Sequence, residues 1–521
     1  MQPHYPSIFN DVIGPIMRGP SSSHCAAALR IGRLARDFMD GEVEEVLIEF
    51  DPNGSLATTH ESQGSDMGLF GGLLGWEADD DRLVAAADLI QKAGIKSQIK
   101  IVDYAAEHPN TYRVTLRNKN QSHQLIALST GGGMLEIVEI DGVSVSIAGD
   151  YFETLVHINS NEEEVIRQIV KNFSADEIRL CCGKDAKFIE VKSQNFLNDD
   201  FCKVLNSRPE VLGVKKLAPV LPVLSCREVS VPYITCEEML RYNYRKNLEL
   251  WELAVIYESS RAGISEDDVF EKITGIVRIM RDSINNGIAG TEFANRILGY
   301  QSGDFKTQME ANNLLDGGML NRMVLYATAM MEVKSAMGVI VAAPTAGSCG
   351  TLPGACMGAA EFLDLGEKEI AKGLLAAGLI GVFIAARSTF AAEECGCQAE
   401  CGAASGMASA ALVTLAKGNV QQAIGASSLS LQNIFGLVCD PVANRVEVPC
   451  LGKNVLAVSN ALSCANMALG GFDQVIPLDE VIAAMDAVGR RIPSELRCTA
   501  QGGLSVTSTA KEIEKRLKAS G

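Results

Sequence analysis

No stretch of this chain is apolar for long enough to cross a membrane. The longest apolar run, residues 374–386, is 13 residues, where a spanning helix needs about 20. It predicts a buried helix instead. Basic runs are missing too. The 521 residues carry a formal net charge of −18, and a nucleic-acid partner needs a basic face. The acidic excess favours solubility. The opening MQPHYPSIFNDVIGP has no basic segment followed by an apolar one, so no export signal is read there. These absences predict a cytoplasmic protein with neither a membrane nor a nucleic-acid partner. In a reducing compartment the 15 cysteines are not a disulfide framework. Nine of them fall between Cys349 and Cys498, which marks where a metal would be sought, although cysteine is also a common small buried residue.

The length allows two to four domains of about 100–200 residues each. Residues 1–148 alternate helix and strand signals. Residues 23–38 have apolar spacings of three and four, a helix. Val46, Ile48 and Phe50 alternate as in a half-buried strand, as do Tyr112, Val114 and Leu116, with Leu125 and Ala127 extending the series. MLEIVEIDG and VSVSIAG read as strands around a tight turn at Asp141 and Gly142. Residues 149–226 have the order βαββαβ of a ferredoxin-like module, followed by a Pro-containing linker. From residue 232 onward strand signals nearly vanish, and long helical patterns, the first over EEMLRYNYRKNLELWELAVIYESSR, are broken by loops at 344–354, 395–405 and 439–450. The fold class is therefore multidomain α+β: a small mixed α/β domain (1–148), a ferredoxin-fold middle module (149–226) and an all-α C-terminal domain (232–521) whose loops carry the unusual residues.

Cys397 in GCQAE, and Cys439 and Cys450 in CDPVANRVEVPC, stand apart at a C-x41-C-x10-C spacing. Cys397 precedes a predicted helix, whose positive end favours a thiolate. Three thiolates at helix–loop junctions can hold an iron–sulfur cluster and leave one iron open as a Lewis acid. Spacing alone also permits three buried cysteines without metal, or a local group of Cys395, Cys397 and Cys401. In PTAGSCGTLPG (344–354), Thr345, Ser348 and the amides around Ala346 and Gly347 can bind a carboxylate as an anion nest does, or form an ordinary helix–helix turn. In GPSSSH (19–24), Ser21, Ser22 and Ser23 before His24 can cap a helix or hold an anion. NGSLATT (53–59) is a similar small-residue turn.

These pieces occur together, and in this order the chain resembles the bacterial iron–sulfur-dependent L-serine dehydratases. The resemblance runs through both end domains: GPSSSH, GSLATT with the following GSD, and STGGGMLEIVEIDG in the first; EVKSAMGVIVAAPTAGSCGTLPG, GCQAE, CDPVANRVEVPC and AQGGLSVTST in the last. It implies that the family's β and α parts are fused here around an ACT-like middle segment, as a homodimer. It implies a [4Fe–4S] cluster on Cys397, Cys439 and Cys450, a substrate loop at 344–350, and the SSSH loop with Gly54 and Ser55 closing over the active site. The implied reaction converts L-serine to pyruvate and ammonia, amino-acid degradation that feeds gluconeogenesis, with no pyridoxal-type electron sink. The resemblance does not identify the general base.

The copy departs from the family pattern. Gln63 stands where a histidine is usual, and Lys334 and Arg387 stand where neutral, amide-bearing residues are usual. Cys498 lies in a stretch that usually reads RETGxGGL, and the chain ends LKASG without the terminal cysteine of some members. Two further readings follow. Lys334 and Arg387 can favour a more acidic hydroxy- or amino-acid, unless nearby glutamates pair with them. The ACT-like and anion-loop segments can also belong to an amino-acid sensor whose cluster is not catalytic.

Overall fold

The computed structural model describes residues 5–160, 162–184, 186–227, 230–294 and 296–520. The chain divides into two compact units, residues 23–229 and residues 1–22 with 230–521, so the first is an insertion in the sequence of the second.

In the unit of residues 23–229, alternating side chains build a six-stranded sheet. Its strand order is Lys96–Ile101, Glu45–Phe50, Thr111–Arg117, Ser122–Gly131, Met134–Ile140, Val143–Ile147. The first pair is parallel and the rest antiparallel. Val46, Ile48, Phe50, Tyr112, Val114, Leu116, Leu125 and Ala127 are all buried, as the period-two pattern predicts. Asp141 and Gly142 both have positive φ, the geometry of a two-residue hairpin turn that matches strand twist. The helix Ala27–Phe38 buries its apolar stripe on this sheet's core. A single π-turn, Ser22–Ala26, precedes it.

The same unit contains a second, four-stranded sheet. Its order is Val211–Leu217, Phe152–Ile158, Lys187–Ser193, Glu177–Cys182, all antiparallel. The helices Glu162–Asn172 and Asp199–Asn206 contribute to a core with Val156, Ile158, Ile189 and Val191. The opposite face, with Leu155, Cys181, Phe188 and Leu217, joins the core of the six-stranded sheet. Asp185, between the strands Glu177–Cys182 and Lys187–Ser193, lies outside the described residues.

Among the described residues the other unit is helical apart from one short ladder, Ile16–Met17 paired with Ile340–Val341, and an isolated bridge between Cys439 and Arg497, which are its departures from an all-α reading. Its centre is the helix Glu367–Ala385, buried all round from Gly373 to Ile384, as apolar runs in large cores are. No helix among the described residues is long and apolar enough to cross a membrane. The long pattern over 237–261 is in fact two helices, Cys236–Asn243 and Leu250–Ala262. Between them the Asn243 side chain donates to Leu248 O and accepts from Leu248 N, and Arg245 and Asn247 take positive φ. Apolar periodicity continues across this break because both helices face one core. Residues 5–22, read from the sequence with the α/β domain, pack instead in the helical unit. Tyr257 Oη donates to Pro6 O at 2.8 Å, Ile8 N donates to Glu258 Oε2 at 2.8 Å, and Ile8 and Val12 lie against Gly378 and Gly381 of the central helix.

Candidate metal centre

Of the cysteines read from the sequence, two stand at the starts of helical elements and the third, Cys439, lies in a loop of the helical unit. Cys397 begins a π-turn, Gln398–Gly402, that runs into the helix Ala403–Leu415. Cys450 is the first residue of the helix Cys450–Leu469. Cys439 is fixed by its backbone, its N–H donating to Leu496 O at 2.8 Å and its carbonyl accepting from Cys498 N at 2.9 Å. All three are buried and none is in a disulfide. Cys397 Sγ, Cys439 Sγ and a carboxylate oxygen of Glu400 lie within 4.8 Å of one another.

Crowding opposes the ionisation of Cys439 and Cys450. Hydrogen bonds with the Cys397 and Cys498 thiols, then burial, push the Cys439 thiol well above its ordinary range. Cys450 is raised by burial and by the charge of Cys397, with Lys334 pulling the other way. Thiols that resist ionising beside one another are a donor set suited to a soft metal, since coordination deprotonates a thiol outright. Of the alternative local group, Cys395 turns to Asp486 Oδ1 at 3.9 Å and burial raises it to about 11. Cys401 turns to Asn454 Nδ2 and Gly347 O. Cys498 instead packs in one buried cluster with Cys397 and Cys439.

Three polar residues that the sequence reading passed over tie this centre together. Glu400 accepts from Thr345 Oγ1 at 2.7 Å and from Cys397 Sγ at 3.6 Å, and burial lifts its carboxyl to about 7. Asn454, one turn beyond Cys450, donates to Gly347 O and Cys450 O and accepts from Gly350 N and Thr351 Oγ1. Lys453 donates to Val438 O, Asp440 Oδ1 and Cys397 Sγ. Burial works against its charge, but the Cys397 thiol and Asp440 outweigh that and hold it above the usual lysine range. The only signal for these residues was a polar pair inside an apolar helix (CLGKN) and an acid within the GCQAE motif.

The loop at 344–350 stands against this cluster. Thr345 meets Glu400, and a side chain added at Gly347 would come within 2.7 Å of Glu400 Oε1. The Ser348 hydroxyl is engaged within the loop, donating to Ala343 O and accepting from Thr345 N. Ala346 N donates to Ser22 Oγ at 3.3 Å, and Ser21 is buried beside it in sequence. Lys334 is buried and donates to Val446 O. Arg387 is more open and faces Asp479 Oδ1 at 3.7 Å, a carboxylate that also accepts from Cys236 N and Glu237 N.

The remaining expected residues belong to the α/β unit. Ser23 O accepts from Ser129 Oγ at 2.7 Å. His24 is fully buried, with Nε2 at 2.9 Å from Thr59 Oγ1; burial first, then His60, lowers its pKa to about 3. Gly54 and Ser55 form the turn before the short helix Leu56–Thr59, where Ser55 N donates to Pro109 O and Ser55 O accepts from Thr59 Oγ1.

Residues 245–505 match the family model described as serine dehydratase alpha chain. The chain is 36% identical over 281 residues to the probable L-serine dehydratase alpha chain of Bacillus subtilis, covering 54% of this chain and 94% of that one. It is 33% identical over 221 residues to the probable L-serine dehydratase beta chain of the same organism, covering 41% and 99%. Across its length it is 26% identical over 502 residues to the L-serine dehydratase of Streptomyces coelicolor, covering 94% and 96%. Matched over half its length by the family model, and in separate alignments by both an alpha and a beta chain, the chain belongs to the L-serine dehydratase family.

Proposed function

We propose that this protein is a lyase that dehydrates and deaminates L-serine to pyruvate and ammonia at an iron–sulfur centre held by Cys397, Cys439 and Cys450. The observation that carries the reading is the convergence of buried thiols and one half-buried carboxylate beside the Thr345–Gly347 turn, in a chain whose relatives are named L-serine dehydratases. A [4Fe–4S] cluster supplies, when bound, a Lewis-acidic iron that makes hydroxide a tolerable leaving group. The chain's own groups do the rest. The 345–348 turn orients the substrate carboxylate through its Gly347 amide, while its Thr345 hydroxyl holds Glu400. Glu400, half-buried and held by Thr345, takes the α-proton. Loss of that proton and of hydroxide gives 2-aminoacrylate, which tautomerises to the imine. Water then adds and ammonia leaves, so the water lost in the first stage is regained in the second.

L-Serine is favoured over a more acidic substrate. Arg387 already has the Asp479 carboxylate, and Lys334, bonded to Val446 O, lies near enough to Cys450 to act on its charge, so a cluster thiolate rather than a ligand carboxylate supplies its counter-charge. We read residues 1–148 and 232–521 as the family's β- and α-type parts, with residues 5–22 built into the latter. The βαββαβ segment 149–226 is an ACT-like regulatory module.

The test is anaerobic loading of the full chain with iron and sulfide, followed by pyruvate release from L-serine. Cys397→Ser, Cys439→Ser and Cys450→Ser each lose iron and turnover, whereas Cys395→Ser keeps both. Full iron content in Cys439→Ser would overturn the ligand assignment. Glu400→Gln keeps its iron and loses at least about 100-fold in kcat, the usual scale for a general base. L-Serine is turned over with a higher kcat/KM than a hydroxylated dicarboxylic amino acid. The reverse preference would restore the acidic-substrate reading.

A further inference from the structure

Lys334 and Lys453 are buried cations at this centre with no role in the reaction, and Lys453 contacts the Cys397 sulfur. Lys453 lies in the first turn of the helix Cys450–Leu469 and is 9% exposed. Its three donors are spent on three acceptors: Val438 O at 2.6 Å, Asp440 Oδ1 at 2.9 Å and Cys397 Sγ at 3.7 Å. Asp440 is buried too. Its second oxygen accepts from Leu504 N at 3.0 Å, and Ser505 Oγ donates to Pro441 O at 2.8 Å. The carboxylate is thus pinned from both sides, and it pins the ammonium. A buried ammonium needs one counter-charge to be tolerated, and Asp440 supplies it. The contact with sulfur is therefore additional to what burial demands.

Resting on the cluster reading above, we infer that Lys453 is a positioning residue of the metal centre, donating a hydrogen bond to the Cys397 sulfur while Asp440 holds it in place. Hydrogen bonds to ligand sulfurs and nearby charge set the potential and affinity of iron–sulfur and thiolate sites. A cation beside the Cys397 sulfur favours a metal-bound thiolate and the more negative, reduced form of a bound cluster. The 503–505 segment, through Asp440, becomes part of the device that keeps the cation in register.

The experiment uses the full chain as wild type, Lys453→Gln, Lys453→Arg and Asp440→Asn. The metal-free proteins are titrated with cobalt(II), read by thiolate-to-cobalt charge-transfer absorption. The iron- and sulfide-loaded proteins are titrated reductively, read by electron paramagnetic resonance. Lys453→Gln takes up iron at the wild-type level, binds cobalt about tenfold more weakly, and has a midpoint lower by about 59 mV, a tenfold change in a one-electron equilibrium. Lys453→Arg recovers most of both shifts. A folded Lys453→Gln protein with both quantities unchanged overturns the inference. Where that variant does not fold, Asp440→Asn decides: its less neutralised ammonium raises the midpoint, and no rise overturns the inference. A wild-type chain that takes up no iron overturns the cluster reading itself, and this inference with it.

Discussion

His24 carries the largest acid-side liability in the α/β unit. Its folded pKa of about 3 lies below the ordinary 6.5, so the unfolded chain takes up the proton first as pH falls. The stability of the neutral, buried ring is complete above about 6.5 and is lost between there and about 3. At about pH 5 the loss is about 2 kcal/mol, from 1.36 kcal/mol per unit. Replacing His24 by Gln, which retains a partner for Thr59, therefore removes about 2 kcal/mol of acid sensitivity. Urea midpoints of both proteins at about pH 8 and about pH 5 check this. Equal acid shifts would mean that His24 already titrates in the folded state. At the metal centre, by contrast, legibility followed chemical distinctiveness. Cys397, Cys439 and Cys450 stood out because few other residue types hold iron, and their motif contexts are specific. Glu400, Lys453 and Asn454 did not, because a Glu, a Lys and an Asn each have many ordinary uses. Only folding chooses Thr345, Cys397 and Gly350 as their partners.

Elements with one exposed face were legible from periodicity, and those buried on two faces were not. The strands Glu45–Phe50 and Thr111–Arg117 alternate because one side is wetter than the other. The helix Ser65–Leu73, sequence SDMGLFGGL, has no apolar stripe to find, because its small residues let it lie directly on the helix Ala27–Phe38. A Cβ at Gly72 would come within 2.0 Å of Leu29 O, one at Gly68 within 2.0 Å of Cys25 O, and one at Gly32 within 2.4 Å of Leu69 O. These are backbone atoms of the two helices and of the turn before the first, so no rotamer change relieves them. Gly72→Ala is expected to force the helices apart and destabilise the unit by about 1–3 kcal/mol, despite alanine's better helix propensity. Thermal unfolding followed by circular dichroism measures it. An unchanged or higher Tm would mean that the helices are not held at this separation.

Across the whole molecule, the least legible fact is that the helical unit is discontinuous in sequence. Eighteen described residues before Ser23 are too short to carry a domain signal, and their partners lie more than 200 residues away. What fixes them is a buried carboxylate. Glu258 is fully buried and accepts from Ser7 Oγ at 2.5 Å and Ile8 N at 2.8 Å. Burial raises its pKa, while Arg261 and these two donors pull it back. Arg261 Nε in turn donates to Tyr5 O at 3.1 Å, and Ile8, Phe9, Val12 and Ile13 are buried. A chain of residues 230–521 alone therefore loses two donors to a buried acid and uncovers apolar surface on the helix Glu367–Ala385. The expected cost is at least about 3 kcal/mol, since hydrogen bonds to charged groups contribute about 1.5–3 kcal/mol each. It should show as a lower guanidinium midpoint than that of a chain in which residues 1–22 are joined to residue 230 by a flexible linker. A synthetic peptide of residues 1–22 should restore the midpoint in a concentration-dependent way. Replacing Ser7 by Ala in that peptide should weaken the rescue, because one donor to Glu258 is gone. If the 230–521 chain unfolds at the same midpoint with and without the peptide, the N-terminal segment is an ornament of the helical unit rather than one of its structural elements.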